Sequence, residues 1–386
     1  MPKLAIRSLV TRSLHVPQLI ALVSALGAFL FMSNSYAGYD DGARYAFTAS
    51  ASQQSIYVID LHNRVLADTI TLNAVPDSVS ASENLKALVI ANREAKSLTL
   101  LDLTSDKLAR YNYSLSISPD YVKVSPLGET VAIYDKQQQV LEVHAIRRNQ
   151  VLLRAEQVNT DKEFTFNLDG STAYWVDQTS GKLHSVDLWS QTKALQLADA
   201  ESGLSALSRS TDGLLGFVSN AQDDKVYVIN LRDFSKMMEI RVGRQPGRPW
   251  GTADGQTILV PNRGDNTITA ISTSNLQKLY TVATIDEPIS INPGWLDTTA
   301  AVIGNKGDLS FIDMQEGGAA GQIYALESVP QEGIVTSDSR TLAVPVPAKG
   351  SISFFDMRKR ALIAEISGLP TDISAATLAV SNNLCH

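Results

Sequence analysis

One pattern of hydrophobic and polar residues recurs along most of the chain. A β-branched apolar run ends in Asp or Asn, and Leu or Met follows. The clear copies are Ile59-Asp60-Leu61, Leu101-Asp102-Leu103, Val186-Asp187-Leu188, Ile229-Asn230-Leu231, Ile312-Asp313-Met314 and Phe355-Asp356-Met357, and the weaker copies are His144-Ala145-Ile146 and Ile271-Ser272-Thr273. The middle residues lie 42, 43, 42, 43, 42, 41 and 43 residues apart. The chain is therefore built from eight repeats of one unit.

Each repeat contains the pattern of four short strands, named A to D. In the second repeat these are Asp77–Ser82, Lys86–Asn92, the alternating segment Ser97–Leu103, and a strand after the turn Thr104–Asp106. Four strands in about 42 residues are typical of one propeller blade. We predict an all-β fold, a single β-propeller of eight four-stranded blades. A seven-bladed ring is the alternative, and it would require an irregular repeat, the third.

The two ends of the repeat array complement each other. The first repeat has strands B, C and D but almost no room for strand A. The C-terminal segment Pro370-Thr371-Asp372-Ile373-Ser374 parallels Pro76-Asp77-Ser78-Val79-Ser80, which forms strand A of the second repeat. We therefore predict that the C-terminal strand pairs into blade one and closes the ring, which removes an open sheet edge.

The N-terminal segment has the features of an export signal. Lys3, Arg7 and Arg12 precede the apolar run Leu19–Met32, which is short for a membrane span, and Ser35-Tyr36-Ala37 suits signal peptidase. We predict a secretory signal peptide at 1–37, a propeller domain at 38–386, and no membrane span after cleavage. An uncleaved anchor is the alternative. With one cysteine in the chain, a bacterial periplasm is the expected location, with secretion as a variant.

Charge excludes one class of partner. Lys and Arg number 33 against 40 Asp and Glu, for a net charge of −7. Loss of the three cations of the signal leaves 30 positive against 40 negative side chains. Because a nucleic-acid-binding protein carries a basic surface, we expect no nucleic-acid partner.

Several strands resemble a known repeat. Phe217-Val218-Ser219-Asn220 followed by Val226–Asn230, and Leu259-Val260-Pro261-Asn262 followed by Asp265-Asn266-Thr267-Ile268, resemble the YVTN β-propeller repeat. That family includes the eight-bladed haem d1 domains of nitrite reductases, propeller subunits of amine dehydrogenases, and binding proteins without catalysis. The resemblance implies a propeller fold and leaves the activity open.

Cations are concentrated in the loops of one face. In a propeller the D–A and B–C loops converge on the central channel, and this face usually binds ligands. The candidate ligand-binding residues in these loops are Arg93, Arg244, Arg248, Trp250, Arg263 and Lys306. Guanidinium groups suit carboxylate or phosphate, so we predict an anion-binding mouth. The alternative is that each is a solvated loop charge paired with a nearby Asp.

Other candidate groups have simpler explanations. His62 belongs to a C–D turn, and His144 and His184 belong to C strands, so no histidine pair has metal-ligand spacing. The Asp at the end of strand C recurs from blade to blade, which predicts a structural role in the turn that follows. Asp77, Asp120 and Asp372 begin strand A in three blades and could form a cation site. Cys385-His386 lacks the first cysteine of a covalent haem motif.

Three functions follow from these observations. The leading hypothesis is an exported, non-catalytic binding or scaffold propeller that presents its loop face to a protein partner or a small anionic ligand. The second is a subunit of a periplasmic redox system, related to haem d1 proteins or amine dehydrogenases, with a haem or a quinone-bearing partner. The third is a lactonase-like hydrolase. We predict no catalytic residues, no metal ligands and no resident cofactor.

Overall fold

The computed structural model describes residue 39 and residues 44–379, except 83–86, 106, 149, 162, 189–191 and 331–332. The predicted signal peptide and the Cys385-His386 tail lie outside these residues. The regular secondary structure of the described part consists of β-strands and two single-turn 3-10 helices, at Ile146–Arg148 and Pro347–Lys349. No helix within it is long and apolar enough to cross a membrane.

The strands form eight four-stranded antiparallel sheets in a ring. Blade 1 contains β1 (Tyr45–Ser50), β2 (Ser55–Asp60) and β3 (Val65–Thr71). Blade 2 contains β4 (Ser78–Ala81), β5 (Ala87–Asn92), β6 (Ser97–Asp102) and β7 (Arg110–Ser114). Blade 3 contains β8 (Tyr121–Val124), β9 (Thr130–Asp135), β10 (Val140–Ala145) and β11 (Gln150–Ala155). Blade 4 contains β12 (Thr165–Phe166), β13 (Thr172–Asp177), β14 (Lys182–Asp187) and β15 (Thr192–Gln196).

The second half of the ring repeats this order. Blade 5 contains β16 (Ser208–Arg209), β17 (Leu215–Asn220), β18 (Lys225–Asn230) and β19 (Ser235–Arg241). Blade 6 contains β20 (Trp250–Gly251), β21 (Thr257–Asn262), β22 (Thr267–Ser272) and β23 (Lys278–Ala283). Blade 7 contains β24 (Pro288–Gly294), β25 (Thr299–Gly304), β26 (Asp308–Asp313) and β27 (Gly318–Ala325). Blade 8 contains β28 (Ile334–Val335), β29 (Thr341–Val346), β30 (Ser351–Asp356) and β31 (Ala361–Ile366).

The last strand closes the ring as predicted. β32 (Ile373–Ala379) pairs antiparallel with β1, with Ile373 opposite Ser50. The Ala51 N–H donates to the Asp372 carbonyl at 3.1 Å, and the Ser50 hydroxyl donates to the Asp372 carboxylate at 2.9 Å. Blade 1 thereby obtains its strand A from the end of the chain, and the eight-blade prediction is confirmed.

The core is a ring of blade-to-blade interfaces. Each apolar cluster joins two neighbouring sheets; for example, Phe47 and Ile56 of blade 1 pack with Leu88 and Leu101 of blade 2. Strands A of neighbouring blades also contact one another, as β4 does with β8 and β20 with β24. Strands B and C are covered on both faces by this arrangement, which explains why they read as nearly continuous apolar runs.

The acid at the end of strand C has the predicted structural role. Asp102 accepts hydrogen bonds from the Thr104 N–H and hydroxyl, and Asp313 accepts from the N–H groups of Gln315 and Glu316. Asp356 likewise accepts from the Lys359 N–H at 2.8 Å. In these three blades the carboxylate satisfies backbone N–H donors of the C–D turn, and strand C ends at the acid.

Candidate ligand-binding face

The six residues predicted to bind ligand all lie in or next to the D–A and B–C loops. The structure divides them into three sets. Arg248 and Trp250 stand at the mouth of the central channel, Arg263 and Lys306 line a cavity between loops, and Arg93 and Arg244 belong to separate surface ion pairs.

Arg93 and Arg244 fit the alternative of paired loop charges. The Nε atom of Arg93 lies 3.0 Å from the Asp120 carboxylate in the D–A loop of the next blade. The Nε atom of Arg244 donates to Asp265 at 2.5 Å, and its Nη2 atom donates to the Gly264 carbonyl at 2.7 Å. Hydrogen bonds from Arg244 lower the pKa of Asp265. Both guanidinium charges are therefore compensated by acids at the surface.

Arg248 spans the mouth of the central channel. Its Nη1 atom lies 3.2 Å from a carboxylate oxygen of Glu163, and its guanidinium lies over the Trp250 ring at 5.0 Å. Glu163 precedes the inner strand of blade 4, whereas Arg248 precedes that of blade 6. Blade 5 contributes the small side chain of Ala206 at the equivalent position, which leaves room for an ion pair between blades that are not neighbours.

Trp250 occupies a position of strand A that has small or medium-sized side chains in most other blades. This position faces the third residue of strand B in each of blades 2–8, and its occupants are Ser80, Lys123, Thr165, Ser208, Trp250, Asn292 and Ile334. Three of them link a blade to the next by a hydroxyl. Ser80 accepts from the Val124 N–H at 3.1 Å, Thr165 donates to the Leu207 carbonyl at 2.9 Å, and Ser208 donates to the Pro249 carbonyl at 2.5 Å.

The other four positions carry no hydroxyl and are occupied by Lys123, Trp250, Asn292 and Ile334. Lys123 carries the only charge at this position in blades 2–8, all of whose residues there are described. Trp250 packs against the apolar cluster between blades 6 and 7, and its indole N–H is buried without a hydrogen-bond acceptor among the described residues. Lys123 is therefore the one cation, and Trp250 the one aromatic side chain, at this position of blades 2–8.

The electrostatics of the mouth favour fixed charges. Burial opposes ionisation of Glu163, but the charges of Arg248 and Lys123 and the hydrogen bond from Arg248 together lower its pKa. Glu163 is therefore ionised at neutral pH, and the three groups carry one net positive charge. The Arg248 guanidinium contacts both Glu163 and the Trp250 ring, so its orientation is fixed before any ligand binds.

A second feature of this face is a cavity of about 730 Å³ over blades 5–7. Arg263 and Lys306 both line it, so the structure brings these two predicted residues to one place. The Lys306 ammonium lies 3.0 Å from Asp286, and the Asn305 amide donates to Glu287 at 3.0 Å. The Arg263 guanidinium has no hydrogen bond or ion pair with any described residue.

The acids that begin strand A are used by the fold. Asp77 accepts from the Arg93 N–H at 2.6 Å, Asp120 accepts from the Lys136 N–H at 2.8 Å, and Asp372 accepts from Ser50. Within the described ranges, no group of three His, Cys, Asp or Glu side chains could hold a metal ion.

The three histidines that the structure describes lie away from the channel mouth. His144, in strand C of blade 3, is buried and bonds Glu142 at 2.8 Å. His184, in strand C of blade 4, stacks on Trp175 with ring centroids 5.0 Å apart, and burial lowers its pKa. His62 stands in the C–D turn of blade 1, which belongs to the opposite face.

Sequence reasoning missed Lys123 and Glu163. The available signal was the inner-strand register, because alignment of the repeats puts Lys123 at a position where blades 2, 4 and 5 have Ser or Thr and no other blade from 2 to 8 has a charge. Strand A of blade 4 has only two residues, Thr165 and Phe166, and this is too short for a periodicity to show which way Glu163 points.

Comparisons with known proteins bear on the fold. No family model and no curated protein matches this sequence. Among solved structures, the chain is similar to the dihydro-heme d1 dehydrogenase NirN in complex with DHE, with 16% identity, a TM-score of 0.71, and coverage of 89% of this chain and 76% of that one. It is also similar to apo AztD from Citrobacter koseri, with 14% identity, a TM-score of 0.59, and coverage of 85% and 96%.

A third similar structure is the hydrazine synthase of Kuenenia stuttgartiensis, with 14% identity, a TM-score of 0.51, and coverage of 76% and 95%. At these identities the similarity concerns the fold alone. No family model supports the YVTN resemblance. The chain thus shares a β-propeller fold with NirN and AztD.

Proposed function

We propose that this protein is an exported, non-catalytic binding propeller that holds an anionic ligand at the mouth of its central channel. One observation carries the proposal: Lys123 is the one charged residue at its inner-strand position in blades 2–8, and its charge acts on the Glu163–Arg248 pair that crosses blade 5. Export to the periplasm, inferred from residues 1–37, is part of the proposal.

The chemistry of the mouth suits an anion. The chain as a whole has a net charge of −7, yet Lys123, Arg248 and Glu163 sum to +1 where the channel opens. Lys123 makes no hydrogen bond of its own with a described residue, so its three donors are free for a ligand. An oxyanion placed between Lys123 and Arg248 would receive charge-assisted hydrogen bonds from an ammonium and a pre-oriented guanidinium.

A second candidate is a redox-system propeller, favoured by the similarity to NirN, whose structure was solved with DHE. The described residues fit part of such a group. Arg248 and Lys123 would hold the carboxylates of a tetrapyrrole, but the three described histidines lie in C strands or a C–D turn and do not fit as iron ligands at the mouth. A visible absorption band in the purified protein would favour this candidate over the first.

Thermal unfolding with added probes tests the proposal. Citrate, inorganic phosphate and protohaem are the probes, and a Lys123→Ala/Arg248→Ala double variant is compared with the unmodified protein. By mass action, a ligand at 100 times its dissociation constant adds about 2.7 kcal/mol to the free energy of unfolding. We expect at least one probe to stabilise the unmodified protein and not the double variant.

Lys349→Ala is the matched control. Lys349 is a cation of the same loop face, in blade 8, and pairs with Glu365 at 3.1 Å. This variant should keep the full stabilisation by the probe. Equal stabilisation of the unmodified protein and the double variant would contradict the proposed site.

A further inference from the structure

The cavity over blades 5–7 holds one cation that has no acidic partner within the described part of the chain. Its other cation, Lys306, pairs with Asp286, and Glu287 accepts a hydrogen bond from the neutral Asn305 amide. Arg263 has no such partner among the described residues. Comparison with blade 2 shows what is missing, because blade 2 carries an arginine at the same position and that arginine is accompanied by two acids.

Arg93 and Arg263 are equivalent residues. Each directly follows the asparagine that ends strand B, Asn92 in blade 2 and Asn262 in blade 6. Around Arg93 stand two acids. Asp77, from the D–A loop of the same blade, accepts the Arg93 N–H, and Asp120, from the next blade, lies 3.0 Å from the Arg93 side chain.

Both acids are missing around Arg263. The Asp77 N–H donates to the fifth residue of strand B, Ala91, and in blade 6 the N–H that donates to the fifth residue, Pro261, belongs to Gly247. Gly247 therefore occupies the place of Asp77.

The same comparison applies to the next blade. Asp120 directly precedes the inner-strand residue that faces the fifth residue of strand B, where Tyr121 faces Tyr134. In blade 7, Ser290 faces the fifth residue, Ile303, and Ile289 directly precedes Ser290. Ile289 thus occupies the place of Asp120, and it lines the cavity beside Arg263.

Blade 6 thus has the arginine of blade 2 without the two carboxylates that surround it there. What replaces them is open space, a cavity of about 730 Å³, which is within the size range of small-molecule sites. We propose that this cavity binds a small molecule through a carboxylate group that pairs with Arg263.

Charge selects a carboxylate rather than a phosphate. Lys306 is already paired with Asp286, so Arg263 offers one positive charge, unpaired among the described residues, on a wall that also carries Glu287. A singly charged carboxylate matches this charge, whereas a doubly charged phosphate would leave one negative charge unbalanced next to Glu287. The Gln245 side chain also lines the cavity and makes no hydrogen bond with a described residue, so it can bond the rest of the ligand. Lys123 and Arg248 take no part, so this site is separate from the channel mouth.

The test uses the two arginines as site and internal control. Acetate and inorganic phosphate are titrated into the 15N-labelled protein, and the Nε–Hε resonances of Arg263 and Arg93 are followed by NMR. We expect acetate to shift the Arg263 resonance saturably, with a dissociation constant at least roughly tenfold lower than at Arg93. An equal response of the two arginines, or tighter saturation of Arg263 by phosphate, would overturn the proposal.

Ile289 provides a matched pair of variants. Ile289→Asp places an acid where Asp120 of blade 3 stands beside Arg93, and it should abolish the acetate response of Arg263. Ile289→Asn has nearly the same shape without the charge and should keep the response. A response retained in a folded Ile289→Asp variant would contradict the pairing, as would its loss in the Lys123→Ala/Arg248→Ala variant.

Discussion

Asp60 accepts four hydrogen bonds although its carboxylate is almost fully buried. The donors are Nε and Nη2 of Arg44, at 3.0 and 2.9 Å, and the backbone and side-chain nitrogens of Asn63, at 2.8 and 2.9 Å. Burial opposes its ionisation, but these bonds outweigh burial and lower the pKa. Asp60 thus stabilises blade 1 as an ion.

The lowered pKa of Asp60 gives a pH-dependent prediction. Because the folded pKa lies below the unfolded value of about 3.9, the contribution is present above about pH 4 and is lost as the pH falls through the folded pKa. Asp60→Asn should lower the free energy of unfolding at neutral pH by about 2 kcal/mol. Urea unfolding at several pH values checks this, and the difference between the two proteins should shrink in acid. A constant difference would contradict it.

Glu142 is a second buried carboxylate that is held by hydrogen bonds. It lies between blades 2 and 3 with 2% of its side chain exposed, and it accepts from His144 at 2.8 Å, Ser116 at 3.0 Å and Arg154 at 2.5 Å. Burial opposes ionisation here too, and these hydrogen bonds lower the pKa. His144, a candidate ligand by residue type alone, is thereby part of the interface between two blades.

Removal of the Glu142 carboxylate should be costly. Breaking a buried charge network by deleting one partner costs about 3–5 kcal/mol, so Glu142→Ala should lower the free energy of unfolding by about that amount. Glu156→Ala is the control, because Glu156 pairs with the same Arg154 at 3.5 Å but is 72% exposed. Its loss should cost less than about 1 kcal/mol. Comparable losses in urea unfolding would contradict this assignment.

At the scale of elements, the B–C turns of different blades share one left-handed backbone conformation that different residue types adopt. Every blade from 2 to 8 has a left-handed residue at this turn, including Lys96 (φ 45°), Asn266 (φ 57°) and Gly350 (φ 59°). At Gly350 a Cβ atom would lie 2.2 Å from the Leu369 carbonyl oxygen of the following D–A loop. Glycine is required there by a close approach as well as by φ.

Gly350→Ala should therefore destabilise the protein by more than the usual penalty for a left-handed residue, which is about 1 kcal/mol. We expect about 2 kcal/mol or more, because the Leu369 backbone must move. Lys96→Gly, at the equivalent turn of blade 2, should change stability by less than about 1 kcal/mol. Thermal unfolding of both variants measures the contrast, and equal shifts in Tm would contradict the role of the close approach.

At the scale of the whole molecule, repetition determines what a sequence can reveal. The 42-residue period and the matching ends at Asp77 and Asp372 were sufficient for eight blades and for closure by the last strand, because each blade repeats the same strands and turns. Arg263 and Lys306 could be placed on the loop face for the same reason.

The candidate sites could be predicted only in part. The Glu163–Arg248 pair joins blades 4 and 6, and no local pattern specifies a contact between side chains 85 residues apart. At Arg263, Gly247 and Ile289 occupy the places that two acids have around Arg93. The position of Ile289 could not be assigned from the sequence, because the strand is bulged there and the bulge is seen only in the pairing of the sheet. Functional departures from a repeat thus need the three-dimensional register to be recognised.

The most direct test of a binding role is a native mass spectrum of the tagged protein purified from its own cell envelope. We predict a mass above that of the polypeptide, released on denaturation and absent from the Lys123→Ala/Arg248→Ala variant. A bare polypeptide mass in the unmodified protein, or the same bound mass in both proteins, would contradict an anion site at the mouth of the channel.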